Sequence, residues 1–218
     1  YSINPRWGIR SETIPYLNYQ EAIELSLMDT PVLHPSTIEP LIEPNIRLEV
    51  RHLYHSNHDE RTVIGPELPE KELKAVGCLP NVISLGFSHH HVDSHQRQLV
   101  KILGELAKNE VHWWGLESRL GDSRLIVSQH DMHRASAIFE QFDIDANHHQ
   151  HLGLLSLIGC KEADVETINT LFDTTEFELS WLNQTSSAAR VAIDGEDLSE
   201  ALQLLHALIQ EQDTSVAQ

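Results

Sequence analysis

Histidine is the most prominent chemistry-bearing residue of this chain. There are 15 in 218 residues, three of them consecutive at His89-His90-His91, with His95 close behind and a second cluster at His148-His149-x-His151. Imidazoles in that number could ligate a divalent cation if the two clusters met. Neither cluster has the fixed spacing or the cysteine partners of a zinc site, so a solvated loop with pH-dependent charge is the favoured reading. The two cysteines, Cys78 and Cys160, lie far apart and outside any C-x-x-C pairing. They read as small buried hydrophobes in a reducing compartment. Arg6 carries a guanidinium fork that suits an oxyanion, and it equally suits an ordinary surface position. Trp113-Trp114 offers a large apolar surface for packing or for a ligand.

The whole chain sets limits on what these groups do. With 15 Lys+Arg against 33 Asp+Glu the formal charge is −18, and no Lys/Arg block interrupts it. Such a field repels phosphate backbones and anionic lipid heads, so neither nucleic acid nor a membrane surface is an expected partner. The longest nearly apolar run, Leu152 to Cys160, is broken by Ser156 and is too short to span a bilayer. Without a signal-peptide pattern the expected location is the cytoplasm. A chain that opens on Tyr1 and runs at once into Asn4-Pro5-Arg6 turn chemistry reads as the continuation of a longer polypeptide.

Hydrophobic periodicity supplies the elements. Leu17 to Leu27 reads as a helix with Tyr19, Ala22, Ile23 and Leu27 on one face and Glu21 and Glu24 turned outward. A short buried run at Val32-Leu33, a helical turn opening at Pro35, and strands at Ile46–Val50 and Thr62–Ile64 follow. Gly65-Pro66-Glu67-Leu68-Pro69 is a linker signal. Beyond it one order occurs twice. The first copy has a strand at Ile83–Phe87, a helix His95–Lys108 with Leu99, Ile102, Leu103 and Leu106 on one face, strands at Val111–Leu116 and Leu125–Val127, and a helix through Met132, Ala135, Ile138 and Phe139. The second has Leu154–Ile158, a helix through Val165, Ile168, Leu171 and Phe172, strands at Phe177–Leu182 and Ala188–Ile193, and a last helix opened by Asp197 and Glu200. Glu211 to Gln218 reads as a frayed polar tail. Two strand-helix-strand-strand-helix copies predict two ferredoxin-like sandwiches, each a small antiparallel sheet with helices on one face.

Short motifs in a fixed order add a family resemblance. Tyr1-Ser2-Ile3-Asn4-Pro5-Arg6 resembles the Y-x-x-D-P-R segment of aspartate kinases. Glu21-Ala22-x-Glu24-Leu25 and Val32-Leu33-His34-Pro35 resemble their E-A-x-E-L and K-V-L-H-P motifs, in the same order; read alone, the latter is also a buried strand ending in a proline turn. The two copies behind the linker resemble the paired regulatory ACT modules of that family. The resemblance implies an α/β chain: residues 1–68 as the end of an amino-acid-kinase catalytic domain, 69–150 as a first ferredoxin-like βαββαβ ACT module and 151–218 as a second. It further implies that the first module is inserted into the second, with strand 73–78 pairing with the C-terminal one.

For function the resemblance implies ATP-dependent phosphorylation of aspartate by a parent enzyme using ATP with Mg²⁺. Tyr1, Arg6 and Val32 would border the nucleotide. The fragment itself would need no cofactor and would be inactive, since the family's glycine-rich opening and aspartate-binding residues are outside it. Two positions depart from the pattern: Pro31 stands where the family has a Lys, and Asn4 where it has an Asp. They support a rival reading, a non-catalytic amino-acid-binding or dimerisation module descended from such a kinase. The resemblance also implies a homodimer formed through the ACT modules and an effector, lysine or threonine, bordered by Val92, Asp93, His95, Leu99, Trp114 and Ser118. Relatives have an Asp where this chain has its Trp pair, so Asp93 is the acid left nearby for an ammonium group, and indole packing of a vestigial site is the alternative.

Overall fold

The computed structural model describes residues 1–28, 33–51, 61–66 and 73–216. It divides into two compact units: 1–79 with 155–193 and 197–218, and 80–154 with 194–196. The linker read at 65–69 falls mostly outside the described residues.

The second unit is built from the second part of β4 (Ala75–Ser88), α3 (Val92–Lys108), β5 (Trp113–Arg119), β6 (Asp122–Ser128), α4 (Met132–Gln141) and the first part of β7 (Asn147–Ile158). Its strand order is β5-β6-β4-β7, the ferredoxin-like arrangement. β4 and β6 pair antiparallel with Phe87 opposite Ser123, and β5 and β6 with Ser118 opposite Ser123. Period-2 alternation sends Ile83, Leu85, Phe87, Leu125 and Val127 to one face. The 3.6-residue stripe of α3 (Ile102, Leu106) and that of α4 (Ala135, Ile138, Phe139) cover them.

The first unit repeats the topology with the other parts of the same two long strands. Its order is β4-β7-β9-β8, with β8 at Ser180–Gln184 and β9 at Ala188–Asp194, and its helices are α5 (Glu162–Phe172) and α6 (Leu198–Val216). Val76, Cys78, Leu155, Leu157, Ala189 and Val191 form a core with Ile168, Leu202 and Leu205. α6 continues to Val216, beyond the start of the expected frayed tail.

The opposite face of that sheet is also covered. Ala75, Ile158 and Ala188 pack with Leu17, Ala22 and Leu25 of the N-terminal elements: β1 (Tyr16–Asn18), α1 (Tyr19–Leu27), α2 (Pro35–Ile42), β2 (Leu48–Arg51) and β3 (Arg61–Gly65). Small residues make this approach possible, since a Cβ on Gly77 would lie 2.6 Å from Met28 Cγ. β3 is central to its own three-stranded sheet, parallel to β1 and antiparallel to β2. The expectation that Glu21 and Glu24 point outward is therefore corrected. Residues 21, 24, 25 and 28 form one helical stripe, and it faces the sheet, where each acid has a basic partner (below).

Among the described residues no helix is long and apolar enough to cross a membrane.

Candidate functional site

The strand-to-helix end of the second unit gathers part of the set read from sequence. The hairpin between β5 and β6 closes through Leu120 and Gly121, with Gly121 at φ 82°, a left-handed value that suits glycine. His89 N donates to Gly121 O at 2.8 Å, so the hairpin ties down the histidine loop ahead of α3. α3 then begins at Val92 with no side-chain cap from His91, which leaves its first-turn N–H groups without that partner.

His95, in that region of α3, is buried at 1% exposure and stacks on Phe87 with ring centroids 4.7 Å apart. Its Nε2 lies 2.8 Å from Ser123 Oγ, and Ser123 Oγ donates to Ser118 Oγ at 2.9 Å. His95 and Ser118 are thus joined through Ser123, which sequence reasoning missed. The signal was there: a two-residue turn at Leu120-Gly121 places Ser118 opposite Ser123. Leu99, one turn further along α3, packs against the core. Val92 and Asp93 are exposed. Trp114 is half-buried at the register shift between Trp113 and Gly115, four residues back along β5 and roughly 13 Å from Ser118 by strand rise. The structure does not bring it to the serines.

Of the three residues expected near a nucleotide, two are among the described residues. Tyr1 is 46% exposed and Arg6 is exposed in a short 3-10 turn, Pro5–Trp7, while Val32 lies outside the described residues. Asn4 caps that turn, its Oδ1 accepting from Arg6 N at 3.0 Å. An amide oxygen does this as an aspartate would, which gives the Asn4 departure a structural role of its own.

Sequence reasoning also missed a charged seam in the first unit. Glu21 accepts from Asn18 N in a capping box and from Lys74 Nζ at 2.9 Å. Glu24 takes Arg190 bidentately, Nε at 2.6 Å and Nη2 at 2.7 Å, and also accepts from Ser156 Oγ at 2.6 Å. Elsewhere in this unit His206 Nε2 meets Ser2 Oγ at 2.9 Å, and burial holds the imidazole below its usual value, with Glu12 opposing. Burial, helped by Asp164, pushes the Cys160 thiol up to about 12, so it is not a thiolate nucleophile. Cys160 also borders an open cavity of about 550 Å³ with Lys161, Glu162, Ala163, Gln184 and Thr185. Among the described residues no group of three or more His, Cys, Asp or Glu gathers to hold a metal ion.

No family model matches the chain. A bifunctional aspartokinase/homoserine dehydrogenase of Buchnera aphidicola is 20% identical over 224 residues, which is 94% of this chain and 28% of that protein. Among solved structures, the aspartate kinase of Clostridium acetobutylicum superposes with a TM-score of 0.80 at 17% identity, covering 94% of this chain and 51% of its own. Aspartokinase III of E. coli, solved with lysine and aspartate, gives 0.73 at 19% identity over 96% of this chain and 49% of its own. The chain therefore spans about half the length of these solved kinases and about a quarter of the bifunctional protein, and over that span it has the fold of aspartate kinases.

Proposed function

We propose that these residues are the allosteric, amino-acid-sensing segment of an aspartate kinase, joined to the end of its catalytic domain. The parent enzyme would phosphorylate aspartate with ATP and Mg²⁺, and Tyr1, Arg6 and Val32 would belong to the nucleotide's surroundings. The single observation that carries this reading is the continuity of the likeness: one kinase fold is matched across 94% of the chain, N-terminal elements and both ferredoxin-like units together. The seam of Glu21–Lys74 and Glu24–Arg190 also favours a linked function, because it fixes a kinase-type helix, α1, to a regulatory-type sheet within one unit.

The proposed effector site lies at the start of α3, with Val92, Asp93, His95, Leu99 and Ser118 around it and Trp114 at its far border. Lysine or threonine is the proposed effector, and a homodimer formed through the ferredoxin-like units is the proposed assembly. The fragment is proposed not to catalyse phosphoryl transfer alone, since that chemistry depends on a complete set of positioned, phosphate-neutralising groups. Calorimetric titration with lysine, threonine and ATP–Mg²⁺ in separate runs tests the reading. Binding of an amino acid supports it, and binding of none in a folded sample refutes it. Aspartate-dependent ATP turnover lost in Arg6→Ala would overturn the expectation of an inactive fragment.

A further inference from the structure

The N-terminal segment of the first unit is fastened to the last helix of that unit at one titrating point. Ser2 O accepts from Val76 N of β4 at 2.9 Å, and Ser2 N donates to Glu12 O at 2.8 Å. Ile3, 1% exposed, lies in the core with Val76, Leu202, Leu205 and Ile209, and Trp7 and Ile9 pack against it. Between these contacts the Ser2 hydroxyl meets His206 Nε2 of α6 at 2.9 Å, both residues being buried. The backbone and apolar contacts of Ser2 and Ile3 do not titrate, whereas this one does.

Glu12 sets the direction of the hydrogen bond. Glu12 N donates to Ser2 Oγ at 3.0 Å, which uses that oxygen as an acceptor. A serine hydroxyl has one hydrogen, and at Ser2, 5% exposed, it needs a buried acceptor, which is His206 Nε2. The neutral ring therefore carries its own hydrogen on Nδ1. Protonation puts a second hydrogen on Nε2, facing the Ser2 hydrogen, so the hydroxyl has to turn away and a charge enters an apolar core. Among the described residues the charged group that acts on His206 is Glu12, which favours the protonated ring. Glu12 is exposed, and Gln210 of α6 approaches it with Nε2 at 3.5 Å from Oε1. β4 and β9 present Val76, Cys78, Ala189 and Val191 to this core, and Asp164 of α5 meets Gln212, further along α6, at 3.2 Å. Burial outweighs the solvent-screened Glu12, and the ring is held neutral.

We propose that His206 is a proton-operated latch: neutral, it takes the Ser2 hydroxyl and holds residues 2–12 on α6 and β4; protonated, it releases that segment while the sheet and helices of the unit stay folded. The released ring is hydrated and titrates near its ordinary value of about 6.5, above its value in the closed form, so falling pH favours release. Such an opening costs less than unfolding the unit. The latch stands without the kinase reading. Joined to that reading, it ties the last helix of the ferredoxin-like unit to the segment that carries Tyr1 and Arg6.

Amide hydrogen exchange of the ¹⁵N-labelled 218-residue chain at pH 7.5 and 5.5, expressed as protection factors, tests the latch. The Glu12 and Val76 amides report the segment, and Val191, in the interior strand β9, reports the sheet. Glu12 and Val76 are expected to be at least about tenfold less protected than Val191 at both pH values, and to lose a further five- to tenfold, roughly, on acidification. His206→Gln keeps a polar partner for Ser2 and does not titrate, so its segment protection stays within about twofold across the same range. Glu12→Gln removes the charge that favours the protonated ring, so the loss on acidification persists or grows. A side-chain ¹⁵N spectrum of labelled histidine at pH 7.5 places the His206 hydrogen on Nδ1. Segment protection equal to that of Val191, no loss on acidification, a loss that persists in His206→Gln or vanishes in Glu12→Gln, or a hydrogen on Nε2 overturns the proposal. None of these results bears on amino-acid binding, which calorimetry decides separately.

Discussion

Removing the Glu24 carboxylate should destabilise the first unit more than any exposed charge in the chain. Both Glu24 oxygens are held by Arg190, at 2.6 and 2.7 Å, and the two side chains are only 15% and 16% exposed. Glu24→Ala leaves a guanidinium largely out of water and a Ser156 hydroxyl, fully buried, without its acceptor. Breaking a buried ion pair by removing one partner costs about 3–5 kcal/mol, and the residual exposure here favours the lower end. The orphaned hydroxyl adds about 1 kcal/mol. Replacing both partners by apolar residues of similar length removes the charge together with its counter-charge and should be near neutral. The expected pattern is a loss of about 3–4 kcal/mol in Glu24→Ala, and a change of about 1 kcal/mol or less in Glu24→Met with Arg190→Met. Urea unfolding followed by tryptophan fluorescence measures it. Trp7 and Trp181 pack against the first unit's core and report on it once Trp113 and Trp114 are changed to Phe. A single variant within about 0.5 kcal/mol of the parent, or a double variant as damaged as the single, would refute the assignment of a buried, mutually dependent pair.

Three further outcomes follow from other contacts. Gly77→Ala places a Cβ 2.6 Å from Met28 Cγ and 2.7 Å from Met28 Cβ and should cost about 1–3 kcal/mol; Met28→Ala keeps that Cβ, so only a Met28→Gly background should reduce the cost, and additivity of the Gly77→Ala and Met28→Gly losses would contradict this. Because burial lowers the His206 value, the unfolded chain takes up that proton first as pH falls. The stability the neutral ring contributes is therefore whole above about pH 6.5 and declines as pH drops through the depressed folded value. His206→Gln should lose less stability than the parent between pH 7.5 and 5.5, and an identical loss in urea titrations would exclude the effect. Cys160, with its thiol near 12, and Cys78, which is also buried, should resist a disulfide reagent at pH 8 until denaturant is added; rapid native labelling would contradict their burial.

Much of this fold is legible in the sequence because its helices carry clean stripes. Ile102 and Leu106 in α3, and Leu198, Leu202 and Leu205 in α6, are buried as their spacing requires. The long strands are harder to read. Pro80-Asn81 has turn chemistry, yet β4 passes through it from Ala75 to Ser88 with Asn81 at φ 61°. β7 likewise absorbs the polar run at 148–151, with His151 at φ 63°. Backbone ladders tolerate such residues, and hydrophobic pattern alone does not register a ladder. The burial of Glu21 and Glu24 was hidden for a different reason. Their partners Lys74 and Arg190 lie distant in sequence, and an acid on a helix reads as solvated until its partner is seen. In the candidate site, His95 and Ser118 are named by the family resemblance alone, while Ser123 requires the register of the β5–β6 hairpin.

The claim that this chain senses an amino acid is tested most directly by ¹H–¹⁵N amide spectra recorded while L-lysine or L-threonine is titrated into the 218-residue chain. The account predicts saturable shifts concentrated in 88–99 and around Ser118 and Ser123 of the second unit. Spectra unchanged by either amino acid at millimolar concentration, or shifts confined to the first unit, would contradict it.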